Sequence, residues 1–591
     1  MAPGPGTASQ RDRGESRARF RGRWRAHVLV AVGYALLAFI CFAPALLDPA
    51  HRFIGVGTDP LEKMWFLEWA PFALTHHQPL LASTAINYPS GINMMWNNST
   101  LLLGVVLSPV TALFGPVVAY NVCMYLAVVA SAWCGYWAIR RVVGHTAGSV
   151  AGGLLYGFSP YMMGQSLGHL TLLVMVFPPI VLVLFHEIVV LQRRRWWVLG
   201  SLLGVATAAQ IFISEEVLAS TAIAVAIGLL AVALVNRDRL SARIGYVLRA
   251  SLVGLGVAAV LAGWALWYQF TGPNQVHQTL QAFGGFVTDP LGLVIPTANQ
   301  LIAPPFLVAV SEHFRGNLAE WDAYLGLPLL GVLAWAVWRY RRSRLMQVVA
   351  ATAVVVAILS IGPHVVIRGH QLPIPLPWLP TENIPVLKNL LPNRFMGEVF
   401  LLAGIAIAYV IAQLTPLPLT AHWRAGAVAL AAILLLVPAL PRPSTPLPAG
   451  ATVPEQARDV LDAGGLVLPS PFATSNDPTA MLVQAENDFA FSMPGGYAYA
   501  PNLPPVAGAS ALAQLDAPSA GRLRAAALAS ANGRMEALSL LRASHVQTIV
   551  VLAGSGESEF QVFWTALLAR PPAVYGGVAI WTGVTGPVAG S

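Results

Sequence analysis

Two acidic residues follow the first long apolar run closely and could carry acid–base chemistry. Asp59 and Glu62 lie in the segment Gly57-Thr58-Asp59-Pro60-Leu61-Glu62. A carboxylate at a water–membrane boundary can act as a general base, because partial desolvation raises its pKa. Asp59 also precedes Pro60 and a predicted amphipathic helix, so the alternative is a helix N-cap. Glu62, one turn further on, is either a catalytic partner of Asp59 or a solvated side chain.

Two cations lie close together in a later polar stretch. Arg394 directly precedes an apolar run, and Lys388 lies in the same loop. A guanidinium at the membrane edge can bind a phosphate through two parallel hydrogen bonds. We therefore predict that Arg394 binds a phosphate and that Lys388 is the second cation. The alternative for Arg394 is an interfacial arginine whose charged head reaches for water.

Five further residues are candidates for lining a substrate cavity: His169, Glu215, Glu216, Glu320 and Tyr324. Glu215 and Glu216 are adjacent, so on a helix at most one of them meets a given partner. Their alternative is a capping pair at a helix start, and that of His169 is a hydrogen-bonded helix-end residue. Glu320 and Tyr324 lie four residues apart at a predicted helix start, where they would share a face directed into the cavity or lie at the interface.

Several kinds of site have no motif in this chain. Neither Gly-x-x-x-x-Gly-Lys-Ser/Thr nor His-Glu-x-x-His occurs, so no P-loop and no zincin site is indicated. His76 and His77 are adjacent and diverge on a helix, which is poor geometry for a metal. The three cysteines fall inside apolar runs and offer neither disulfides nor a thiolate site. We predict no cofactor and no metal ligand; a divalent cation is possible, but no motif indicates one.

The composition is that of a polytopic membrane protein. Of the 591 residues, 56% are apolar and 10% charged, which excludes a water-soluble globular chain. About eleven runs approach the roughly 20 residues that cross a bilayer. They lie near 27–47, 117–139, 147–163, 171–191, 197–213, 216–235, 247–269, 323–338, 346–361, 396–414 and 422–440.

The basic residues predict the orientation of these runs. With the N-terminal tail inside, 21 Lys and Arg fall in inner segments and six in the outer loops that precede the last run. Cytoplasmic loops carry such an excess, so the net charge of +8 reflects orientation and not nucleic-acid binding. The long outer loops, near 48–116, 270–322 and 362–395, hold most of the candidates. The run from Leu101 to Phe114 ends at Gly115-Pro116, and we predict that it is an interfacial or re-entrant helix.

The two ends of the chain differ from the membrane part. Residues 1–25 are basic and rich in Gly, Ser and Pro, so we expect a disordered cytoplasmic tail, followed by the transmembrane domain at 26–440. A proline-rich linker at 441–450 precedes residues 451–591, where short β-rich runs at 465–468, 546–551 and 578–581 alternate with helical stretches at 515–543 and 558–569. We predict a soluble, extracytoplasmic α/β domain there.

The layout resembles the GT-C superfamily of integral-membrane glycosyltransferases, and within it the actinobacterial and YfhO-like members. The shared features are a large first outer loop with an acid just after the first helix, an interfacial helix before the second, many helices and an outer C-terminal domain. The motifs are Gly57-Thr58-Asp59-Pro60, Asn87-Tyr88-Pro89-Ser90-Gly91-Ile92-Asn93, Glu320-Trp321-Asp322-Ala323-Tyr324-Leu325-Gly326, Leu391-Pro392-Asn393-Arg394-Phe395 and Met493-Pro494-Gly495-Gly496-Tyr497. The resemblance implies that Asp59 is the catalytic acid of the first loop. The paired acids usual in that loop have no clear match, because Glu62 lies a turn further on.

The function that this resemblance implies is transfer of a sugar from a polyprenyl-phosphate donor on the outer face of a bacterial plasma membrane. Its partners would be membrane lipid, the lipid-linked donor and a cell-envelope glycan or protein acceptor. The alternatives are a flippase or transporter for lipid-linked glycans, and an inactive scaffold in envelope assembly. A transporter should show paired halves or polar groups at mid-membrane depth. Here the polar groups collect at the outer face and no repeat is apparent, which favours the transferase.

Overall fold

The computed structural model describes residues 7–278, 280–415, 436–451, 453–462, 465–501, 511–516, 522–554 and 556–585. Helices dominate as far as residue 414. Their bounds are Thr7–Leu46, Asp59–Thr75, Leu101–Val143, Thr146–Gly157, Pro160–Gln165, Leu170–Leu173, Phe177–Phe185, Trp196–Ile211, Glu215–Val235, Arg237–Thr271, Pro305–Ser311, Gly326–Arg339, Arg344–Ser360 and Met396–Leu414.

Six helical segments of the described residues are long and apolar enough to cross a membrane. They are Trp24–Leu46, Leu101–Val143, Leu170–Leu191, Glu215–Val235, Arg243–Thr271 and Pro392–Leu414. Three shorter apolar helices, Trp196–Ile211, Gly326–Arg339 and Arg344–Ser360, coincide with further predicted runs. The eleventh predicted run lies largely outside the described residues. The chain is therefore a multi-pass membrane protein, and the count of eleven crossings stays a prediction.

Two predicted segments differ from the structure. The run at 147–163 is two helices, Thr146–Gly157 and Pro160–Gln165, because Ser159-Pro160 ends the first and caps the second. Twelve helical residues span only about 18 Å, too little for a crossing. The first helix begins at Thr7, inside the tail expected to be disordered. The arginines, alanines and glutamate of this tail are good helix formers and extend the apolar helix toward the N-terminus.

The break predicted at Gly115-Pro116 is confirmed. The backbone of Gly115 leaves helical geometry at φ 79° and divides Leu101–Val143 into two helices. A glycine is suited to this position because it reaches positive φ without the penalty that a Cβ brings. The shorter N-terminal piece packs against the helix Asp59–Thr75, with Gly104 against Ala70 and Leu67. Both belong to the segment 48–116, which is named the first outer loop after its predicted position; that position stays a prediction.

The proline-rich linker forms a strand pair and a hydrogen bond with the first outer loop. Strand Ser444–Pro446 pairs antiparallel with strand Arg52–Ile54, and Thr445 donates its hydroxyl hydrogen to the carbonyl of Gly55. The Arg442 guanidinium is buried and donates to Asn299 and to the carbonyl of Met163. The linker thus holds the segment that leads to Asp59 against the short helix Pro160–Gln165.

The C-terminal part contains a four-stranded sheet with helices packed on it. The strands are Val467–Ser470, Thr548–Val551, Val578–Trp581 and Ala573–Tyr575, in that spatial order. The first two are parallel, and the third pairs antiparallel with the second and the fourth. The three predicted strands are confirmed, whereas the helix expected at 515–543 is divided. The helices here are Glu455–Asp462, Thr479–Glu486, Ala511–Asp516, Arg522–Ala529, Ala531–Ala543 and Glu557–Leu568.

The C-terminal part packs directly on the helix Asp59–Thr75. Phe489 contacts the rings of Trp65, Trp69 and Phe72, with centroids 4.6–5.2 Å away. The indole of Trp65 donates to Gln484 over 2.7 Å. Aromatic contacts of this kind bury large areas and favour one relative placement of the two surfaces.

The polypeptide around residues 493–497 lies along the first outer loop. Met493 and Gly495 exchange backbone hydrogen bonds with residues 85–88 of that loop. A Cβ on Gly496 would lie 2.9 Å from the Cβ of Ile86, so only a glycine allows this approach. The motif Met493-Pro494-Gly495-Gly496-Tyr497 therefore brings the C-terminal part to the start of the helix that carries Asp59.

Candidate functional site

Asp59 is the first residue of its helix and is held by two side chains from elsewhere in the chain. Tyr497 donates its hydroxyl hydrogen to Oδ1 over 2.8 Å. Oδ2 lies 3.2 Å from Nε2 of His169. The helix makes no use of Asp59 as a cap, since the N-cap position belongs to Thr58, which also forms no side-chain cap. The capping alternative for Asp59 is therefore wrong. A third of its side chain remains open to solvent (34%).

His169 connects Asp59 to a second carboxylate. Its Nδ1 lies 2.7 Å from Oε1 of Gln165 and 3.5 Å from Oε1 of Glu320. The amide nitrogen of Gln165 donates to Asp322 over 2.9 Å, so its oxygen faces the imidazole and requires a proton on Nδ1. The other ring nitrogen, Nε2, faces the Asp59 carboxylate. The imidazole therefore lies between Asp59 on one side and Gln165 and Glu320 on the other.

Arg394 closes the chain of polar contacts. One end of its guanidinium pairs with Glu320 over 2.7 Å and the other pairs with Glu216. Asn393 donates to the same Glu320, and the backbone N–H of Leu391 donates to Glu216 over 3.1 Å. These side chains are mostly buried, so their hydrogen bonds offset the cost of desolvation; Nε of Arg394 and Oδ1 of Asn393 have no partner within the described residues. A continuous path of contacts thus runs from Tyr497 through Asp59, His169, Glu320 and Arg394 to Glu216.

The two carboxylates that flank His169 are held ionised. Burial alone raises the pKa of Asp59, but the hydrogen bonds from His169 and Tyr497 and the nearby Lys63 outweigh it, leaving a pKa of about 2. Burial likewise raises the pKa of Glu320, but Arg394, His169 and Asn393 bring it to about 2. The expectation that desolvation raises the pKa of Asp59 is therefore wrong, because its partners stabilise the charged form more than burial opposes it.

Glu62 has the opposite electrostatic behaviour. It is 8% exposed and pairs with Lys63 over 3.0 Å. Burial raises its pKa to about 7, an effect that Asp59 reinforces and Lys63 only partly offsets. A carboxyl with a pKa near neutrality changes charge in the physiological range. The two acids of the first loop therefore differ: the pKa of Asp59 is lowered to about 2, and that of Glu62, one turn away, is raised to about 7.

Glu215 and Glu216 meet different partners, as their adjacency predicts. Glu216 reaches Arg394, whereas Glu215 accepts a hydrogen bond from Gln269 over 3.1 Å on the other side of the helix. Ser214, and neither glutamate, caps the helix through the N–H of Val217. Only Glu216 belongs to the path from Tyr497.

Two further candidates lie off this path. Lys388 lies in the turn Leu387–Asn389 and forms no ion pair within the described part of the chain. Tyr324 is buried in the hydrophobic core beside Gly326. The prediction that Glu320 and Tyr324 share a helix face is wrong, because the helix begins only at Gly326, whose φ is +72°. Before it, the side chain of Asn317 accepts from the backbone N–H of Glu320 in a local turn.

Sequence reasoning missed four side chains of this site: Tyr497, Gln165, Asn393 and Asp322. Gln165 precedes His169 by four residues, a spacing that could have linked them. Asn393 and Asp322 neighbour candidate residues in quoted motifs. Tyr497 ends the last motif, but nothing local indicates its partner. Asp322 is buried, and burial together with Glu320 raises its pKa well above the usual range.

The geometry of the described residues contains no group of three or more His, Cys, Asp or Glu side chains arranged to hold a metal ion. Both nitrogens of His169 already face oxygens of this chain. The arrangement keeps the Asp59 carboxylate ionised, fixes both of its oxygens and leaves part of it open to a bound molecule.

Fold and site together define a multi-pass membrane protein with a polar centre between its first outer loop and its C-terminal part. Residues 30–440 match the model of a family described as a domain of unknown function, DUF6311, and the chain belongs to that family. A search of curated proteins gave no match.

Among solved structures, the chain is similar to the oligosaccharyltransferase AglB from Archaeoglobus fulgidus, which was solved with an inhibitory peptide and a dolichol-phosphate. The TM-score is 0.51 at 13% identity, over 93% of this chain and 71% of AglB. The arabinofuranosyltransferase AftD from mycobacteria (TM-score 0.49, 17% identity, 91% of this chain and 38% of AftD) is also similar. So is ArnT from Cupriavidus metallidurans bound to undecaprenyl phosphate (0.46, 12%, 95% and 99%). The likeness to AglB shows that the two chains share a fold.

Proposed function

We propose that this protein transfers a sugar from a polyprenyl-phosphate donor to a cell-envelope glycan or protein acceptor on the outer face of a bacterial plasma membrane. The observation that carries the proposal is the state of Asp59: ionised, fixed at both oxygens and one third open to solvent. A GT-C fold supports the class of reaction. We also propose that the chain is related to the actinobacterial and YfhO-like members of the GT-C superfamily and that its C-terminal part lies on the outer face of the membrane.

In the proposed reaction, Asp59 orients the acceptor hydroxyl and takes its proton as that oxygen bonds to the anomeric carbon. The bond from this carbon to the phosphate oxygen breaks, and the polyprenyl phosphate leaves. A carboxylate with a pKa of about 2 is a weak base. A weak base suffices when the transition state resembles an oxocarbenium ion, because the hydroxyl becomes acidic only as the new bond forms. The fixed negative charge also stabilises the cationic sugar.

The polar residues behind Asp59 hold it in place. His169 donates to Asp59, and Glu320 fixes the imidazole, while Arg394 fixes Glu320. Such support keeps a reacting group within a few tenths of an ångström of its productive position. We propose that Asp59 and Glu62 are the catalytic acids, and that Glu62 adjusts the charge beside Asp59 through its ionisation near neutral pH.

The donor phosphate needs a cation that is not already neutralised. Arg394 is compensated by two carboxylates, so a phosphate would have to displace one of them. Lys388 forms no ion pair within the described residues and lies in the same outer connection. We therefore propose that Lys388 makes the first contact with the phosphate and that Arg394 binds it by exchange with Glu216. We propose that Glu215 and Tyr324 only form part of the wall of the cavity around Asp59.

The test is lipid-linked sugar analysis of a strain from which the gene has been deleted. We expect a polyprenyl-phosphate sugar to accumulate and the envelope to lose the corresponding residue, with wild-type protein but not Asp59→Asn reversing both changes. A deletion strain with an unchanged lipid-linked pool and an unchanged envelope would contradict the transferase proposal.

A further inference from the structure

A shallow cleft of about 360 Å³ opens between the loop that follows the helix Arg237–Thr271 and the C-terminal part of the chain. Its lining residues are Gly272, Asn274, Gln275, His277, Gln278 and Pro501. None of them is Asp, Glu, Lys or Arg. The lining residues of the cleft therefore include no carboxylate, lysine or arginine, and both parts of the protein form it.

The three amide side chains of the cleft are fixed at one end. Asn274 donates to the carbonyl of Ser90, Gln275 to that of Gly272 and Gln278 to that of Ala500. Because each NH₂ group is engaged with a backbone carbonyl, each amide oxygen has a set direction. Within the described part of the chain these oxygens accept no hydrogen bond, and His277 makes none. The cleft thus offers pre-oriented acceptors and one imidazole.

This chemistry selects a neutral molecule with many hydroxyl groups. A phosphate or carboxylate would meet amide oxygens without a lysine or arginine, and an ammonium group would find no carboxylate. An apolar molecule would leave the amide oxygens without hydrogen bonds. Pre-oriented acceptors reduce the entropy lost when a hydroxylated ligand binds. We infer that the cleft binds the saccharide of the acceptor, an inference that rests on the proposed transferase function.

The cleft is connected to Asp59 by a short piece of the backbone. Gln278 holds Ala500, and Gln281 donates to the hydroxyl of Tyr499 over 3.2 Å. Two residues earlier, Tyr497 contacts Asp59. From Pro501 to Tyr497 the backbone spans at most about 14 Å. The cleft therefore lies at a distance from Asp59 that a short oligosaccharide can span.

The kinetic test compares two double variants. Gln275→Leu/His277→Leu removes two polar groups of the cleft, whereas His370→Leu/Gln371→Leu changes the same residue types on an exposed strand of another outer loop. The donor is the lipid-linked sugar of the deletion strain, and the acceptor is envelope polysaccharide from the same strain. Loss of two hydrogen-bonding groups should raise the acceptor KM by about tenfold or more, with kcat and donor KM within about twofold. An unchanged acceptor KM, a changed donor KM or an equal effect in the control pair would overturn the assignment.

A second readout does not need turnover. A cysteine at Gln275, in a protein whose native cysteines are replaced, should react with a maleimide. The polysaccharide should slow this reaction, whereas inorganic phosphate should not. Absence of protection would refute saccharide binding in the cleft. Protection without sugar transfer by the wild-type protein would leave the cleft assignment standing and refute the proposed function, so the two failures are distinguishable.

Discussion

Tyr497 donates its hydroxyl hydrogen to Asp59 over 2.8 Å, although 438 residues separate them in the chain. The contact joins the C-terminal part to the proposed catalytic carboxylate. It also helps to hold the pKa of Asp59 below its usual range. A residue outside the membrane helices therefore sets the charge state and the direction of the side chain on which the proposed reaction depends.

Tyr497→Phe should therefore change how the activity depends on pH. Removing the donor raises the pKa of Asp59, so protonation inactivates the variant at a higher pH than the wild type. We expect the acid limb of kcat/KM to move upward and turnover at neutral pH to fall by about tenfold. The control is Tyr88→Phe, at an exposed tyrosine of the outer loop that contains Asp59. An acid limb that stays in place would show that the hydroxyl only fills space.

Asp59→Asn should lower turnover by on the order of a hundredfold or more, because the amide neither takes the proton nor carries the negative charge. Thermal stability and expression should remain close to wild type, since a third of the side chain is exposed and the helix does not use it as a cap. Turnover of the purified variant, measured beside its melting temperature, separates the two effects. A variant that folds normally and transfers sugar at the wild-type rate would leave Glu62 as the remaining acid of the first loop.

Glu62→Gln should stabilise the protein more at pH 8 than at pH 5. The pKa of Glu62 is raised from 4.5 to about 7 in the folded state, so folding favours its protonated form. Its unfavourable contribution is absent below the unfolded pKa, grows as pH rises through this interval and is complete above the folded pKa. The difference corresponds to about 3 kcal/mol at most. Melting temperatures of both proteins across this pH range give the comparison, and a constant difference would contradict the raised pKa.

Arg394→Ala should destabilise the protein strongly, because it leaves Glu216 and Glu320 buried without their cation. Breaking a buried pair by removing one partner typically costs about 3–5 kcal/mol. Adding Glu216→Gln should recover part of that loss. Thermal unfolding of the single and double variants measures this recovery, and strictly additive effects would exclude the pairing.

Lys388→Ala should raise the donor KM by about tenfold or more and leave stability unchanged, because this lysine forms no ion pair within the described residues. Arg368→Ala, at an exposed position of the same outer loop, is the matched control. Similar donor KM values for the two variants would remove Lys388 from the phosphate site and leave Arg394 as its cation.

The local features of this architecture can be predicted from the sequence, but few of its long-range contacts can. Apolar periodicity and Gly115-Pro116 predict the helix break, and adjacency alone predicts that Glu215 and Glu216 diverge. The start of the helix at Gly326 was not predicted, because a positive φ is a property of the folded backbone. The partner of Tyr497 was not predictable either, since it depends on how two distant segments pack. Local patterns identify residues capable of chemistry, whereas tertiary packing decides which of them meet.

The strand Arg52–Ile54 finds its partner, Ser444–Pro446, almost four hundred residues later in the chain. During synthesis the strand Arg52–Ile54 therefore stays unpaired until nearly the whole membrane part has been made. The hydrogen bond from Tyr497 to Asp59 forms later still, once residue 497 has been synthesised and the C-terminal part has packed. A chain that stops before residue 497, or whose C-terminal part fails to dock, carries the carboxylate without Tyr497, one of its two positioning partners. We therefore expect a truncated protein left in the membrane to lack the proposed transferase activity, because its Asp59 is not fully positioned.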